Sequence, residues 1–66
     1  MRIQLNGEPF ELPEAQTVAD LLVRLDLTGR RVAVELNQDI VPRSQHGETV
    51  LREGDSLEVV HAIGGG

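Results

Sequence analysis

Apolar and polar side chains alternate from residue 1 to 6 and again from 10 to 12. Such alternation is typical of half-buried β-strands. Between the two segments stands Asn6-Gly7, the strongest short hairpin signal, because both residues tolerate a positive φ. We therefore expect the chain to open with an antiparallel hairpin that ends before Pro13.

The apolar spacing changes to a helical period after Thr17. Asp20 follows three residues later, so that the Thr17 hydroxyl can accept its amide, a variant of the capping box. The next apolar residues recur at i, i+3, i+4 and i+7 and form one stripe: Val18, Leu21, Leu22 and Leu25. Arg24 follows Asp20 at the favourable i,i+4 spacing on the opposite face. With Gly29 as a left-handed C-terminal cap, the pattern predicts one helix of about three turns.

The second half of the chain predicts further strands. Residues 32–36 alternate as a strand, residues 37–39 form a turn, and Pro42 restricts the following segment to a sheet edge. The remaining elements are a loop with a helical turn (43–48), a short edge strand (49–51), a turn (52–55) and a last strand (56–62). The order ββαβ(β)β predicts an α+β domain in which one helix packs across a mixed sheet of four to five strands.

Composition and charge exclude several classes of function and of partner. A chain of 66 residues buries roughly 60 % of its surface in one small core, which leaves no room for a deep active site. The absence of Cys excludes a disulfide, a thiolate ligand and a thiol nucleophile. The net charge of −5 repels phosphate backbones and argues against nucleic acid as a partner. Since no stretch reads as a membrane span or a signal peptide, we expect a cytoplasmic monomer with no membrane partner.

The sequence shows no arrangement of side chains for catalysis or metal binding. His46 and His61 are its two imidazoles, and no Asp or Glu stands at a ligand spacing from either. We expect His46 in a solvated loop and His61 at the sheet margin. The chain is therefore predicted to have no metal, no cofactor and no catalytic activity of its own.

The chain ends in Gly64-Gly65-Gly66, directly after the predicted last strand. A frayed terminus is the simplest interpretation of such glycines. The functional alternative is that Gly64 and Gly65, which have no Cβ, thread a narrow channel in a partner. Gly66 would then be the native end and would present an ionised α-carboxylate to the partner's active site.

Residues beside the glycines are candidates for partner docking. Every second side chain of the last strand lies on the same face, which carries Glu58, Val60 and Ala62. The charge of Glu58 indicates that this face is exposed to solvent. Val60 and Ala62 are then exposed aliphatic residues, and together with Ile63 they form a predicted docking surface. The alternative is that they are isolated surface apolar residues without a function.

The element order and the diglycine end together resemble the ubiquitin-like β-grasp proteins, and within them the ThiS/MoaD family of sulfur carriers. The resemblance covers the whole chain and is carried by residues 1–7 (MRIQLNG), 17–22 (TVADLL), 34–37 (VELN), 40–43 (IVPR), 52–55 (REGD) and 65–66. Residues 40–43 and the short length favour the thiamin branch, ThiS, over the longer molybdopterin-synthase branch, MoaD. Gly64 departs from the family pattern, in which a residue with a side chain is common.

The resemblance implies a β-grasp domain over residues 1–63 and a flexible glycine tail over 64–66. The first and last strands would be parallel central neighbours, and the helix would pack on Ile3, Leu5, Val34 and Leu57. It also implies a sulfur carrier rather than an enzyme. An E1-like adenylyltransferase (ThiF), which holds ATP and Mg²⁺, would adenylate Gly66, and a persulfide from a cysteine desulfurase system would convert it to a thiocarboxylate. Thiazole synthase (ThiG) would then take the sulfur for thiamin.

Other functions fit the same residues. The chain could be a ubiquitin-like modifier joined to target lysines through Gly66, a sulfur carrier for molybdopterin synthesis or tRNA thiolation, or an inert β-grasp binding module. A chain without Lys has no ε-amine that its own activated end could acylate, although replacement of Lys by Arg through genome composition explains this absence equally well.

Overall fold

The computed structural model describes residues 1–61, which form a five-stranded mixed sheet and one α-helix. The elements in chain order are β1 (Arg2–Leu5), β2 (Glu8–Glu11), α1 (Val18–Arg24), β3 (Val32–Leu36), β4 (Asp39–Val41), a 3₁₀ turn (Arg43–Gln45) and β5 (Ser56–His61). The strand order in the sheet is β2-β1-β5-β3-β4. β1 and β5 are parallel, and the other neighbours are antiparallel. This confirms the predicted α+β architecture, including the parallel pairing of the first and last strands.

Both hairpins turn through residues with positive φ. Asn6 (φ 51°) and Gly7 (φ 85°) connect β1 to β2, with Leu5 opposite Glu8. Asn37 (φ 50°) and Gln38 (φ 75°) connect β3 to β4. Two residues with positive φ match the right-handed twist of the flanking strands. The second turn is therefore shorter than predicted, because Asp39 already belongs to β4.

Helix α1 begins as predicted. The Thr17 Oγ1 accepts the Asp20 amide at 3.1 Å, and an Asp20 carboxylate oxygen accepts the Thr17 amide at 3.1 Å. The capping box therefore satisfies amides that have no partner inside the helix.

The end of α1 corrects the prediction of three turns capped by Gly29. The helix has seven residues, about two turns, and the residue that takes the left-handed conformation is Asp26 (φ 61°). The Leu27 amide donates to the Leu22 carbonyl at 2.8 Å and the Asp26 amide to the Val23 carbonyl at 3.0 Å, the two bonds of a Schellman motif. Gly29 (φ 81°) lies beyond this cap, in the connection to β3.

The prediction of an edge strand over residues 49–51 is wrong. This segment forms only an isolated bridge between Val50 and Thr17. Its backbone is used at the start of α1 instead: the Thr49 carbonyl accepts the Val18 amide at 2.9 Å, and the Leu51 amide donates to the Gln16 carbonyl at 2.7 Å. Residues 49–51 therefore satisfy the first turn of the helix and bury Leu51, rather than extending the sheet.

The core lies between α1 and one face of the sheet, called here the inner face. Its buried residues are Ile3, Leu12, Val18, Leu21, Leu22, Val34, Val41, Leu51, Leu57 and Val59. Of the sheet residues expected under the helix, three are buried, and Leu5 is half-buried against the cluster. The opposite face of the sheet has no covering element among residues 1–61 and is called the free face.

Truncation of a core leucine in α1 tests the assigned helix face. Leu22 is 8 % exposed, so Leu22→Ala is expected to lower the free energy of unfolding by about 2–5 kcal/mol. Val23 on the same helix is 64 % exposed, and Val23→Ala should change it by no more than about 0.5 kcal/mol. Urea denaturation of both variants measures the difference. Equal losses would contradict the burial of Leu22.

Candidate functional site

The prediction of which side chains of the last strand face outward is confirmed within the described residues. Leu57 and Val59 are buried on the inner face, whereas Glu58 is exposed and Val60 is 57 % exposed. His61 is exposed and is the last described residue. Ala62, Ile63 and Gly64–Gly66 lie outside the described residues, so their docking and threading roles stay predictions.

The strand register places further apolar side chains on the same face of the sheet as Val60. Ala33 lies directly opposite Val60, and Ile40 lies opposite Glu35 on the neighbouring pair of strands. Ile40 is 74 % exposed. Ala33, Ile40 and Val60 therefore share the free face, and we call them the free-face patch. Ile40 was missed in the sequence, although pairing its neighbour Val41 with the buried Val34 would have placed it outside.

Acidic residues border the free-face patch. Glu35 on β3 lies directly opposite Glu58 on β5, and both side chains are exposed. Like charges on directly opposed strand positions repel each other and reduce the stability of the sheet. The free face thus combines exposed aliphatic side chains with concentrated negative charge, a composition suited to a contact surface.

Asn6 holds the part of β5 that carries Val60. The Asn6 side-chain oxygen accepts the Val59 amide at 2.8 Å, and its Nδ2 donates to the Val59 carbonyl at 3.3 Å. β1 ends at Leu5, so the Asn6 amide group takes the place of a further strand residue beside Val59. The sequence identified Asn6 only as a turn residue. Its side chain also fixes the strand that leads to the tail.

The expectation of a solvated His46 is wrong. The residue is 8 % exposed, and its Nε2 lies 3.1 Å from the Val41 carbonyl oxygen. A carbonyl oxygen can only accept, so Nε2 carries the hydrogen. The His46 carbonyl also accepts the Ala19 amide at 2.9 Å. His46 thereby links the segment after the 3₁₀ turn to β4 and to the first turn of α1.

Residues 1–61 provide neither a metal-binding cluster nor a membrane-spanning helix. No group of three or more His, Cys, Asp or Glu side chains in this part of the chain could hold a metal ion. None of its helices has the length and apolar character needed to cross a membrane.

Comparison with known proteins decides the family. The model of the ThiS family matches residues 3–66. The chain belongs to the ThiS family. The sulfur carrier protein ThiS of Escherichia coli is 35 % identical over 66 residues, which cover the whole of both chains. The crystal structure of the thiamine biosynthesis protein ThiS of Geobacter metallireducens superposes with a TM-score of 0.88 at 32 % identity and full coverage of both chains. The fold is therefore the ubiquitin-like β-grasp of this family.

A second kind of relative is much longer. A thiazole synthase of Magnetococcus marinus is 47 % identical over all 66 residues. The chain spans about a fifth of the length of this protein, and the same fraction of a thiazole synthase from Paramagnetospirillum magneticum. A segment similar to this ThiS-family chain therefore occurs within larger proteins named for thiazole synthesis.

Replacement of Asn6 by glycine tests its role at β5. Gly tolerates the same positive φ, so Asn6→Gly removes the two side-chain hydrogen bonds without straining the turn. We expect the Val59 amide to exchange with solvent about tenfold faster or more, and the free energy of unfolding to fall by about 1–3 kcal/mol. Hydrogen exchange followed by NMR measures the first effect.

Asn37→Gly is the matched control. Asn37 also has a positive φ, but its side-chain oxygen accepts the Ser56 amide at 2.9 Å. This variant should therefore expose Ser56 to exchange and leave Val59 protected. An unchanged Val59 amide in Asn6→Gly would show that the side chain does not hold the strand.

Proposed function

We propose that this ThiS-family chain is a sulfur carrier protein in thiamin biosynthesis. The observation that carries the proposal is the similarity to the Escherichia coli sulfur carrier protein ThiS over the full length of both chains. The longer relatives named thiazole synthase support the same pathway, since each includes a segment similar to the whole chain. In this proposal the chain is a protein co-substrate and not an enzyme.

The proposed chemistry takes place at the carboxylate of Gly66. A carboxylate oxygen attacks the α-phosphorus of ATP, the bond to the β-phosphate oxygen breaks, and pyrophosphate leaves with an acyl adenylate formed. A persulfide sulfur then attacks the acyl carbon and displaces AMP. A thiol cleaves the resulting acyl disulfide by forming a disulfide with the persulfide donor, and the thiocarboxylate remains. Adenylation is needed because a free carboxylate is a poor electrophile.

The partners follow from these steps. An E1-like adenylyltransferase (ThiF) would bind ATP and Mg²⁺, a cysteine desulfurase system would supply the persulfide, and thiazole synthase (ThiG) would accept the sulfur. The carrier itself then needs neither a cofactor nor a metal. Its contribution is to dock on each enzyme and present the terminal glycines Gly64–Gly66.

The free-face patch is the proposed docking surface. Val60 lies one residue before the last described position, so a partner that covers it also lies at the end of the described chain. Ile40 is the most exposed large apolar side chain of residues 1–61 and lies on the same face. Ala62 and Ile63 would extend this surface towards the glycines. A complex is stabilised when the partner removes exposed aliphatic side chains from water.

A charge placed on the patch tests docking. Val60→Asp is expected to weaken binding to the adenylyltransferase about tenfold or more, because the carboxylate would be desolvated at the contact. Calorimetric titration measures Kd, and thermal denaturation shows that the variant is folded. The matched control is Val23→Asp, which places the same charge at an exposed valine on the helix side and should leave Kd unchanged. Equal weakening by both variants would contradict docking through the free face.

Extension of the chain by one Ala after Gly66 tests the chemistry at the end. The extra residue moves the carboxylate by roughly 3.3–3.6 Å, and a misplacement of even about 1 Å can cost about a hundredfold in rate. We expect the extended chain to melt at the same temperature as the original and to release no pyrophosphate with the adenylyltransferase and ATP. The original chain with a sulfur donor should gain the mass of one sulfur-for-oxygen exchange.

The same experiment separates the alternatives. Isopeptide adducts on target lysines would indicate a protein modifier, and a carboxylate that never changes would indicate an inert binding module. Equal pyrophosphate release from the original and extended chains would falsify the carrier hypothesis.

A further inference from the structure

A groove of about 290 Å³ lies on the helix side of the domain, opposite the free face. The larger apolar residues of its lining are Leu22, Val23, Leu27 and Val32. Val32 is paired with His61, so the groove lies next to the end of β5. The volume is close to the lower end of the roughly 300–1,000 Å³ common for small-molecule sites.

The groove is basic in a chain that is acidic as a whole. Eleven of the 66 residues are Asp or Glu, yet none of the described residues that line the groove is acidic. Arg30 and Arg43 both line it. Neither guanidinium group has a hydrogen bond or ion pair with another of residues 1–61, whereas the Arg2 Nε lies 2.9 Å from a Glu11 carboxylate oxygen. Two guanidinium groups are thus available to an anion in the groove.

His46 supplies a third polar group to the lining. Its Nε2 donates to the Val41 carbonyl, so in the neutral ring Nδ1 is an acceptor. No hydrogen bond from the described part of the chain reaches Nδ1, although the residue is only 8 % exposed. Nδ1 can therefore accept a hydrogen bond from a donor bound in the groove.

We propose that this groove binds a small phosphate monoester that carries an apolar group. The two guanidinium groups balance the charge of about −1.5 to −2 that such a phosphate has at neutral pH, and they match its oxygens with paired N–H donors. The monoprotonated form also offers an O–H to the His46 Nδ1. The apolar lining residues contact the remainder of the molecule. A carboxylate fits less well, because it has one negative charge and no O–H.

Phenyl phosphate is a suitable probe, added to ¹⁵N-labelled full-length chain at constant pH and ionic strength. We expect saturable shifts of the amides at residues 27–30 and 43–47, and a shift of the His46 Nδ1 signal. Benzoate keeps the ring but has a single charge, and phenol keeps the ring without charge. Both should bind about tenfold more weakly or worse.

Paired substitutions distinguish binding by the arginines of the groove from a general effect of net charge. Arg30→Gln with Arg43→Gln should weaken phenyl phosphate binding about tenfold or more. Arg24→Gln with Arg52→Gln removes the same charge from exposed arginines outside the lining and should change Kd by less than about twofold. Equal losses from both pairs, benzoate binding as tight as that of phenyl phosphate, an unmoved His46 signal, or no saturable shift up to about 10 mM would each overturn the proposal.

Discussion

The parallel pairing of β1 with β5 is the constraint on which the remaining structure depends. It is short, with Gln4 opposite Ser56 and Leu5 opposite Leu57, and the helix and the β3–β4 hairpin lie between the two strands in the sequence. A parallel pair requires a crossover connection, and here the helix and the β3–β4 hairpin are part of it. Asn6 lengthens the pairing beyond the end of β1 by bonding both backbone groups of Val59. The end of the described chain is thereby held in the middle of the sheet and not at an edge.

A fixed position for β5 also decides which of its residues face each side, since side chains alternate along a strand. Leu57 and Val59 enter the core, whereas Glu58 and Val60 face outward. Glu35 and Glu58 lie opposite each other on the free face, whereas the apolar cluster that holds the domain together lies on the inner face. Substitutions on the free face therefore separate binding from folding, which substitutions on the inner face do not.

The fold features that could be predicted from the sequence are those determined within a few residues. The Asn6-Gly7 turn, the capping box of α1 and the parity of β5 depend on local geometry and were confirmed. The end of α1 was not predicted, because both Asp26 and Gly29 can adopt a left-handed conformation, and the choice depends on the bond from Leu27 back to Leu22. Residues 49–51 have the composition of a strand. The Thr49 carbonyl instead accepts the Val18 amide, which has no partner inside the helix.

The exposed surfaces were harder to predict than the helix and strands, because they depend on which distant residues the fold brings together. Alternation showed that Val60 is exposed, but the strand order places Ile40 and Ala33 on its face, and that order is a property of the whole chain. The sequence predicts that His46 is a solvated loop residue. In the structure, its Nε2 donates to the Val41 carbonyl. Arg30 and Arg43 are thirteen residues apart in the sequence, yet they line one groove together with residues of α1 and β3. Alternation along a strand thus predicts which of its side chains face outward. Tertiary packing determines whether a loop residue such as His46 is buried and which exposed residues become neighbours, and a binding surface depends on that packing.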